Sequence, residues 1–292
     1  MLKITYKNEY GEIHMGASAL SGLPLNVTAL VGFKPPDQEA QSKVFSKAPG
    51  CVTTDIRDIQ RTLTISGTFH GTSFDVQNMY SILYHPGTLV LDFVTGSKKI
   101  ECRMITSEGF TKVGKGDLYN FVLQFQADYP YFSDVEETTV YVFERVDMIN
   151  NGEDATYTFQ LPAVFTERRT TAEVELRGEK NVYPIIYVAN GVADAAVLSL
   201  DSGIYLKNEI TGAEIDFQYT PEIGEVVRID LPNRRITNNK GDVLTNYISD
   251  STVLSDFMLK PGKNTIYALN RNAGQDITVY LTYHSEYVSA VF

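Results

Sequence analysis

The sequence is poor in the residues that usually mark metal, redox or nucleophilic chemistry. Among 292 residues there is no tryptophan, and there are two cysteines and four histidines. Cys51 and Cys102 lack a metal-type spacing, and a chain of this length needs no disulfide, so we expect buried, structural thiols. No two histidines stand two or four residues apart, the spacings that place two ring nitrogens on one face of a strand or helix. We therefore predict no metal site and no cofactor; the histidines are His14, His70, His85 and His284.

Clustered positive charge is also missing. The chain has 25 Lys and Arg against 36 Asp and Glu, a formal net charge of −11, and no run of basic residues. Non-specific binding to a phosphate backbone needs such clusters, so we expect no stable nucleic-acid binding.

No stretch of the sequence is suited to crossing or entering a membrane. The longest nearly uncharged stretch, 13–33, is interrupted by Gly16, Pro24 and Gly32, which makes it a poor membrane helix. The first twelve residues do not resemble a secretory leader. We expect synthesis in a cytoplasm and no membrane insertion.

Catalytic motifs are absent from the sequence. There is no G-x-S-x-G elbow, and Gly114-Lys115-Gly116 lacks the spacing of a phosphate loop, so a hairpin turn is the better interpretation. The acidic pairs Glu136-Glu137 and Glu173/Glu175 have nothing to distinguish them from solvated carboxylates. We predict no catalytic residue. Eighteen tyrosines and fifteen phenylalanines leave sugar binding open, although many occupy core-facing positions.

Alternation of apolar and polar residues with period two dominates the chain and predicts a mainly β protein. In 61–69 the residues Leu63, Ile65 and Phe69 share one face, and threonines and Ser66 share the other. The same pattern recurs in 89–93, 119–127, 172–176 and 277–283.

One segment has helical periodicity instead. Val76, Met79, Tyr80 and Leu83 fall on one face of a predicted helix over 74–84, with Ser73 as a candidate N-cap. Upstream of it, the polar, proline-bracketed residues 30–53 predict a long loop that is either mobile or extends to a neighbouring subunit.

The alternation lapses after Pro130, which predicts a domain boundary. We expect a first domain over 1–135, a linker over 136–158 that contains a short strand near 140–143, and an all-β second domain over 159–292.

Several segments, taken in their order along the chain, resemble those of a known family. Residues 61–67, from Arg61 to Gly67, are similar to an R-x-L-x-I-x-G strand, and the helix and a Pro-Gly re-entry follow. An aromatic strand then leads into Asp128-Tyr129-Pro130, which resembles a D-P-aromatic signature with Tyr129 inserted. The second half adds a segment beginning Gly224-Glu225 and an L-x-P-G-x-N turn with Pro261, Gly262 and Asn264. In this order the segments resemble the distal tail protein family, or siphovirus tail component family, of long-tailed, non-contractile phages.

The resemblance implies a fold and a function. It implies a split-barrel-like β domain with one helix that assembles into a six-fold ring, followed by a galectin-like β-sandwich. Such a homohexamer joins the tail-tube protein to the tail-tip protein and anchors receptor-binding proteins at the virion tail tip or baseplate of a phage or prophage. The acidic balance suits a channel for DNA, because negative walls repel phosphates. Two alternatives remain: a carbohydrate-binding module that attaches the particle to cell-wall sugars, and a glycan hydrolase.

Overall fold

The computed structural model describes residues 2–16, 25–44, 51–94, 96–148, 165–193, 203–271 and 275–290. The chain divides into two compact units, Met1–Val135 with Glu286–Phe292, and Glu136–Ser285. The first unit contains β1 (Lys3–Asn8), β2 (Gly11–Gly16), β3 (Leu25–Val31), β4 (Gln38–Val44), β5 (Cys51–Asp58), β6 (Arg61–His70), α1 (Ser73–Leu83), β7 (Gly87–Phe93), β8 (Gly96–Lys112), β9 (Leu118–Ala127), β10 (Phe132–Asp134) and β21 (Glu286–Tyr287). The second unit contains β11 (Thr138–Met148), β12 (Phe165–Arg169), β13 (Thr171–Leu176), β14 (Ile185–Ala193), β15 (Ile204–Asn208), β16 (Glu214–Phe217), β17 (Val226–Asp230), β18 (Arg235–Asn238), β19 (Gly262–Asn270) and β20 (Gln275–Tyr283).

Seven strands of the first unit close into a barrel. Their order is β8-β7-β1-β2-β3-β6-β9, and β9 pairs again with β8 to complete the ring of strands. Neighbouring strands are antiparallel except β2 and β3, which are parallel. Because of this closure, β9 is paired on both sides, with β6 and with β8. Beside β8, the short strands β10 and β21 extend the sheet.

The alternation predicted from the sequence is confirmed in the barrel strands. Leu63, Ile65 and Phe69 of β6 are buried, as are Phe121 and Leu123 of β9, while the intervening side chains reach solvent. The Gly114 region is a hairpin turn between β8 and β9, also as predicted.

The predicted helix is confirmed, with its start displaced by one residue. It begins at Ser73, and the N-cap is Thr72 rather than Ser73. Thr72 and Asp75 form a capping box in which each side chain accepts from the other's backbone N–H. Val76 and Leu83 are buried, and the half-buried Met79 and Tyr80 pack against the barrel core.

The second unit is built from two antiparallel sheets. One has the strand order β12-β11-β20-β14-β17-β18, and the other has the order β13-β19-β15-β16. Both contribute to one apolar core, with Val188 and Ile229 from the first sheet and Val174 and Ile266 from the second. Each sheet buries one face against the other sheet, so every second side chain along a strand is apolar, which explains the period-two pattern. The mainly β prediction holds for both units, and the galectin-like assignment remains a prediction.

Two expectations about the first 60 residues are wrong. The segment 30–53 is not one long loop, because it contains β4 and the start of β5, which pair as the two strands of an antiparallel hairpin. The strands could not be recognised from the sequence, because neither of them has a regular apolar face. Cys51 lies exposed on β5 rather than buried, whereas Cys102 is buried, and both are free thiols.

The structure also alters the expected domain limits. Residues 138–148 of the expected linker form β11, which pairs with β20 inside the second unit. Residues 149–158 lie outside the described residues. The end of the chain returns to the first unit, where β21 pairs with β10. The second unit is therefore an insertion between two neighbouring strands of the first.

Candidate functional site

The nine residues singled out by the family resemblance do not meet in one cavity. Arg61, Gly67, Asp128 and Pro130 belong to the first unit, and the others form two separate clusters in the second unit.

Arg61 links distant segments of the first unit. It is 3% exposed, and its guanidinium donates to the carbonyl oxygens of Gly32 at 3.2 Å, Lys34 at 2.9 Å and Val288 at 2.6 Å. The same group lies 4.7 Å from the ring centroid of Phe132. Burial lowers the pKa of Arg61 to about 10, so it stays charged at neutral pH. This cation holds the C-terminal segment against the barrel.

Gly67 lies where two strands approach too closely for a side chain. A Cβ atom at this position would lie 1.9 Å from the carbonyl oxygen of Asn26 and 2.9 Å from the ring of Phe121. Only glycine fits such a backbone approach.

Asp128 lines a pocket of about 490 Å³ in the first unit, and Pro130 follows it two residues later in the chain. The Asp128 carboxylate is exposed and lies 3.7 Å from the Arg103 guanidinium, whereas Pro130 is buried. Cys102 also lines the pocket, and burial raises the pKa of its thiol to about 12. A protonated thiol is a poor nucleophile, which favours a structural role for Cys102.

Glu225 is the centre of a buried polar cluster in the second unit. It is 1% exposed and accepts hydrogen bonds from the Glu222 N–H at 2.7 Å, the Asn238 amide at 2.7 Å and the Tyr219 hydroxyl at 2.9 Å. Burial acts to raise the pKa of Glu225, but these donors outweigh it and hold the pKa below its ordinary value. Burial and the hydrogen bond to the Glu225 carboxylate raise the pKa of Tyr219 to about 12. Gly224, with φ of 76°, forms the turn that places the Glu225 carboxylate in this cluster.

Asn264 closes the turn that contains Pro261 and Gly262. Its side-chain oxygen accepts from the Lys260 N–H at 2.9 Å, and its amide donates to the Lys260 carbonyl at 2.7 Å. Asn264 is fully buried, and Gly262 has a φ of 90°. The cluster fixes the entry into β19 and contains no group suited to catalysis.

A feature that the sequence analysis missed is an exposed arm, which we define as the β4–β5 hairpin, Gln38–Asp58. The side chains described on both of its strands are exposed, apart from the half-buried Asp58 at its base. Val52 is 52% and Ile56 is 58% exposed. Because of a bulge at Thr54, Val52 pairs with Lys43 and Ile56 pairs with Ala40, so the two side chains lie on opposite faces of the hairpin. An isolated two-stranded hairpin is marginally stable in water, so the arm is suited to packing against another surface.

The described residues contain no group of three or more His, Cys, Asp and Glu that is suited to holding a metal ion. His14 contacts Thr5 and Glu12, and His284 contacts the carbonyl of Glu136. Within the described ranges, no helix combines the length and apolarity needed to cross a membrane.

A closed barrel with two flanking strands, β10 and β21, that are separated in sequence by a two-sheet insertion defines a class of two-unit, mainly β proteins. Within that class, the chain has the fold of a phage hub protein. The crystal structure of the Dit protein (gp 19.1) of phage SPP1, described as a paradigm of the hub adsorption apparatus in phages infecting Gram-positive bacteria, matches with a TM-score of 0.64. That alignment covers 97% of this chain and 99% of the SPP1 chain at 12% identity.

Structures of the phage p2 baseplate in its activated conformation, with strontium and with calcium, align with a TM-score of 0.42. They cover 97% of this chain and 98% of theirs, at 11% and 9% identity respectively. No family model matches the sequence, and no curated protein does.

Proposed function

We propose that this chain is a structural hub protein of a phage or prophage tail tip. In this role six copies form a ring that joins the tail-tube protein to the tail-tip protein and anchors receptor-binding proteins. The observation that carries the proposal is the fold similarity to SPP1 Dit, which spans nearly all of both chains.

The arm supports assembly through the first unit. A head-to-tail ring needs two different complementary surfaces on each subunit. The arm, on which Val52 and Ile56 are exposed, supplies one such surface, and a neighbouring copy is the partner that a ring places beside it. In this proposal the second unit is a peripheral, galectin-like lobe.

Charge supports the same proposal. A ring at the tail tip surrounds the path of DNA, and acidic side chains along that path repel phosphates. The net charge of −11 is consistent with such a channel.

Electron microscopy of the purified full-length protein tests the proposal. We expect six-fold rings with a central channel, and light scattering should give the mass of six chains. A protein that stays monomeric at every concentration, also in the presence of its tail-tube and tail-tip proteins, would contradict the hub assignment.

The glycan hydrolase alternative has its own test. Glu173 and its neighbour Lys263 are both about three-quarters exposed, which favours a solvated ion pair over a catalytic acid. Peptidoglycan and host polysaccharides incubated with the protein should release no product above a heat-inactivated control. Turnover that disappears on mutation of one carboxylate would favour the hydrolase.

A further inference from the structure

Three tyrosines form a continuous row across the six-stranded sheet of the second unit. Tyr141 of β11 lies opposite Tyr280 of β20, and Tyr280 lies opposite Tyr187 of β14. The Tyr187 and Tyr280 rings stack with centroids 4.9 Å apart and planes 13° apart, and Tyr141 lies 5.5 Å from Tyr280. We call these residues the tyrosine row. The same register continues to Arg228 on β17 and Thr237 on β18.

The tyrosine row lies on the outer face of its sheet. Its neighbours along the strands, including Ile186, Val188 and Val279, point into the core. Tyr141 is 45% exposed, and Tyr187 and Tyr280 are half-buried. The side chains therefore stand on the surface but are held in place by contacts with one another.

The other sheet of the unit has a different outer face. It is crossed by ion pairs, with Lys207 2.7 Å from Glu214 and Arg271 2.8 Å from Asp216. Tyr267 is half-buried there, and neither of its cross-strand neighbours is aromatic. Of the two sheets of this unit, only the six-stranded sheet has an aligned aromatic row on its outer face among the described residues.

A polar pocket of about 360 Å³ adjoins the end of the tyrosine row. Its volume falls within the range of about 300–1,000 Å³ typical of small-ligand sites. Asp230, with a side chain 5% exposed, accepts from the Arg228 guanidinium at 2.7 Å and from the Asn233 amide at 3.0 Å. These contacts occupy the carboxylate and fix both donors at the pocket. The lining contains no apolar side chain and consists of Arg228, Asp230, Asn233, Arg235, Thr237, Asn238 and Gly241.

The combination fits the chemistry of a sugar. A pyranose ring carries C–H groups on its faces, which the negative π face of an aromatic ring attracts. Its hydroxyl groups need fixed donors and acceptors, which guanidinium, amide and hydroxyl side chains supply. A peptide partner would bury apolar anchor residues in an apolar pocket, and this pocket offers none.

The geometry points to a saccharide-binding site formed by Tyr187 and the pocket around Arg228, with the sugar ring against the tyrosine and its oxygens on the fixed donors. The two arginines outnumber the one aspartate, so the site accepts acidic as well as neutral sugars. The ligand class is a cell-surface glycan. The site is independent of the ring proposed above, because it lies wholly within the second unit.

Calorimetric titration of the full-length protein tests the site. The probes are tetrasaccharides of N-acetylglucosamine, glucose and galacturonic acid, together with an array of bacterial surface glycans. We expect millimolar or tighter binding to at least one probe, and a loss of affinity of about tenfold or more in Tyr187→Ala and in Arg228→Gln. Tyr267→Ala, a half-buried tyrosine on the opposite sheet, is the matched control and should bind normally.

Thermal unfolding of each variant separates lost binding from lost folding. If Arg228→Gln unfolds at a lower temperature, Tyr187→Ala alone carries the test, because its side chain lies outside the core. No binding to any probe, or binding that survives Tyr187→Ala, overturns the site. Dependence of a tail-protein complex on Tyr187 in the absence of glycan binding would assign the surface to a protein partner instead. A chain that forms no rings but binds sugar would overturn the hub and leave this site intact.

Discussion

At the scale of single residues, hydrogen bonds hold several buried polar side chains of this protein in place. Arg61, Glu225 and Asn264 are each 3% exposed or less, and each meets several groups of complementary polarity. An unpaired buried polar group costs about 1–3 kcal/mol. These side chains therefore fix the conformations of the segments around them.

Substituting Gly67 by alanine should destabilise the first unit. The added Cβ would overlap the Asn26 carbonyl oxygen, and relief requires strand separation at a cost of about 1–3 kcal/mol or more. Urea unfolding measures the change in the free energy of unfolding. Gly116→Ala is the control, because nothing lies within 4 Å of a Cβ there. Equal stability of the two variants would contradict the close-approach argument.

Glu225→Gln should destabilise the second unit by about 1–3 kcal/mol, because the new amide group faces donors that need an acceptor. The pKa of Glu225 is lowered in the folded protein. Its stabilising contribution is therefore complete above the ordinary value of 4.5 and is lost as pH falls through the lowered pKa.

Thermal unfolding from pH 7 to pH 3 checks this prediction. The gap between the wild type and Glu225→Gln should narrow below pH 4.5. Glu222→Gln, whose side chain is 71% exposed, is the control and should change little. A gap that stays constant with pH would show that the charge of Glu225 is not the cause.

At the scale of elements, the arm differs from every barrel strand because it contributes nothing to the barrel core. Its base is narrow, since the Ile59 N–H donates to the Asp37 carbonyl at 3.0 Å and Gln38 pairs with Asp58. Asn-Gly favours the tight turn that joins two such paired residues. The arm is thus removable without cutting the barrel.

Replacing residues 39–57 with Asn-Gly should leave the first unit folded and abolish ring formation. The physical reason is that the arm, including the exposed Val52 and Ile56 side chains, no longer packs against the neighbouring copy. Circular dichroism checks folding, and light scattering with electron microscopy checks assembly. Val52→Asp with Ile56→Asp should act in the same way, whereas Leu269→Asp, 41% exposed in the second unit, should not. If the shortened chain forms normal rings, the arm is not part of the ring interface.

At the scale of the whole molecule, the insertion of the second unit between β10 and β21 governs how the chain divides. Cutting after Val135 would remove β21 and the Val288 carbonyl that accepts from Arg61. It would also remove Ala290, whose N–H donates to the Phe33 carbonyl at 3.0 Å. The first unit therefore needs both ends of the sequence.

Replacing residues 136–285 with a short glycine-containing loop should yield a folded first unit that keeps the self-association of the full chain. The loop converts β10 and β21 into a direct hairpin, because Ser133 already pairs with Glu286. The fragment 136–285 should fold as a monomer around its own core. Light scattering at matched concentrations compares them. If only the second unit associates, the assignment of ring formation to the first unit is wrong.

The full-length protein should not retard duplex DNA, even at low salt. The net charge of −11 gives no basic surface for counterion release. A gel-shift series over salt concentration measures this, with a basic DNA-binding protein as the positive control. Tight binding with a steep salt dependence would reveal a cluster of Lys and Arg formed by the fold.

The sequence by itself determined the class of fold, the position of the helix and many of the strands. Leu63, Ile65 and Phe69 show period two because one face of β6 is buried, and that local pattern survives in any sheet. This period-two pattern is absent from the arm, because both faces of its strands are exposed to solvent and neither face needs apolar residues.

Only the tertiary structure decided which strands pair and which surfaces result. Closure of β8 on β9, the return of β21 to β10 and the alignment of Tyr141, Tyr280 and Tyr187 are contacts between residues far apart in sequence. A strand's own residues specify which face is buried but not which neighbour supplies the hydrogen bonds. The candidate saccharide site was therefore invisible as a motif, because Tyr187 on β14 meets Arg228 on β17, 41 residues later, only through the register of the sheet.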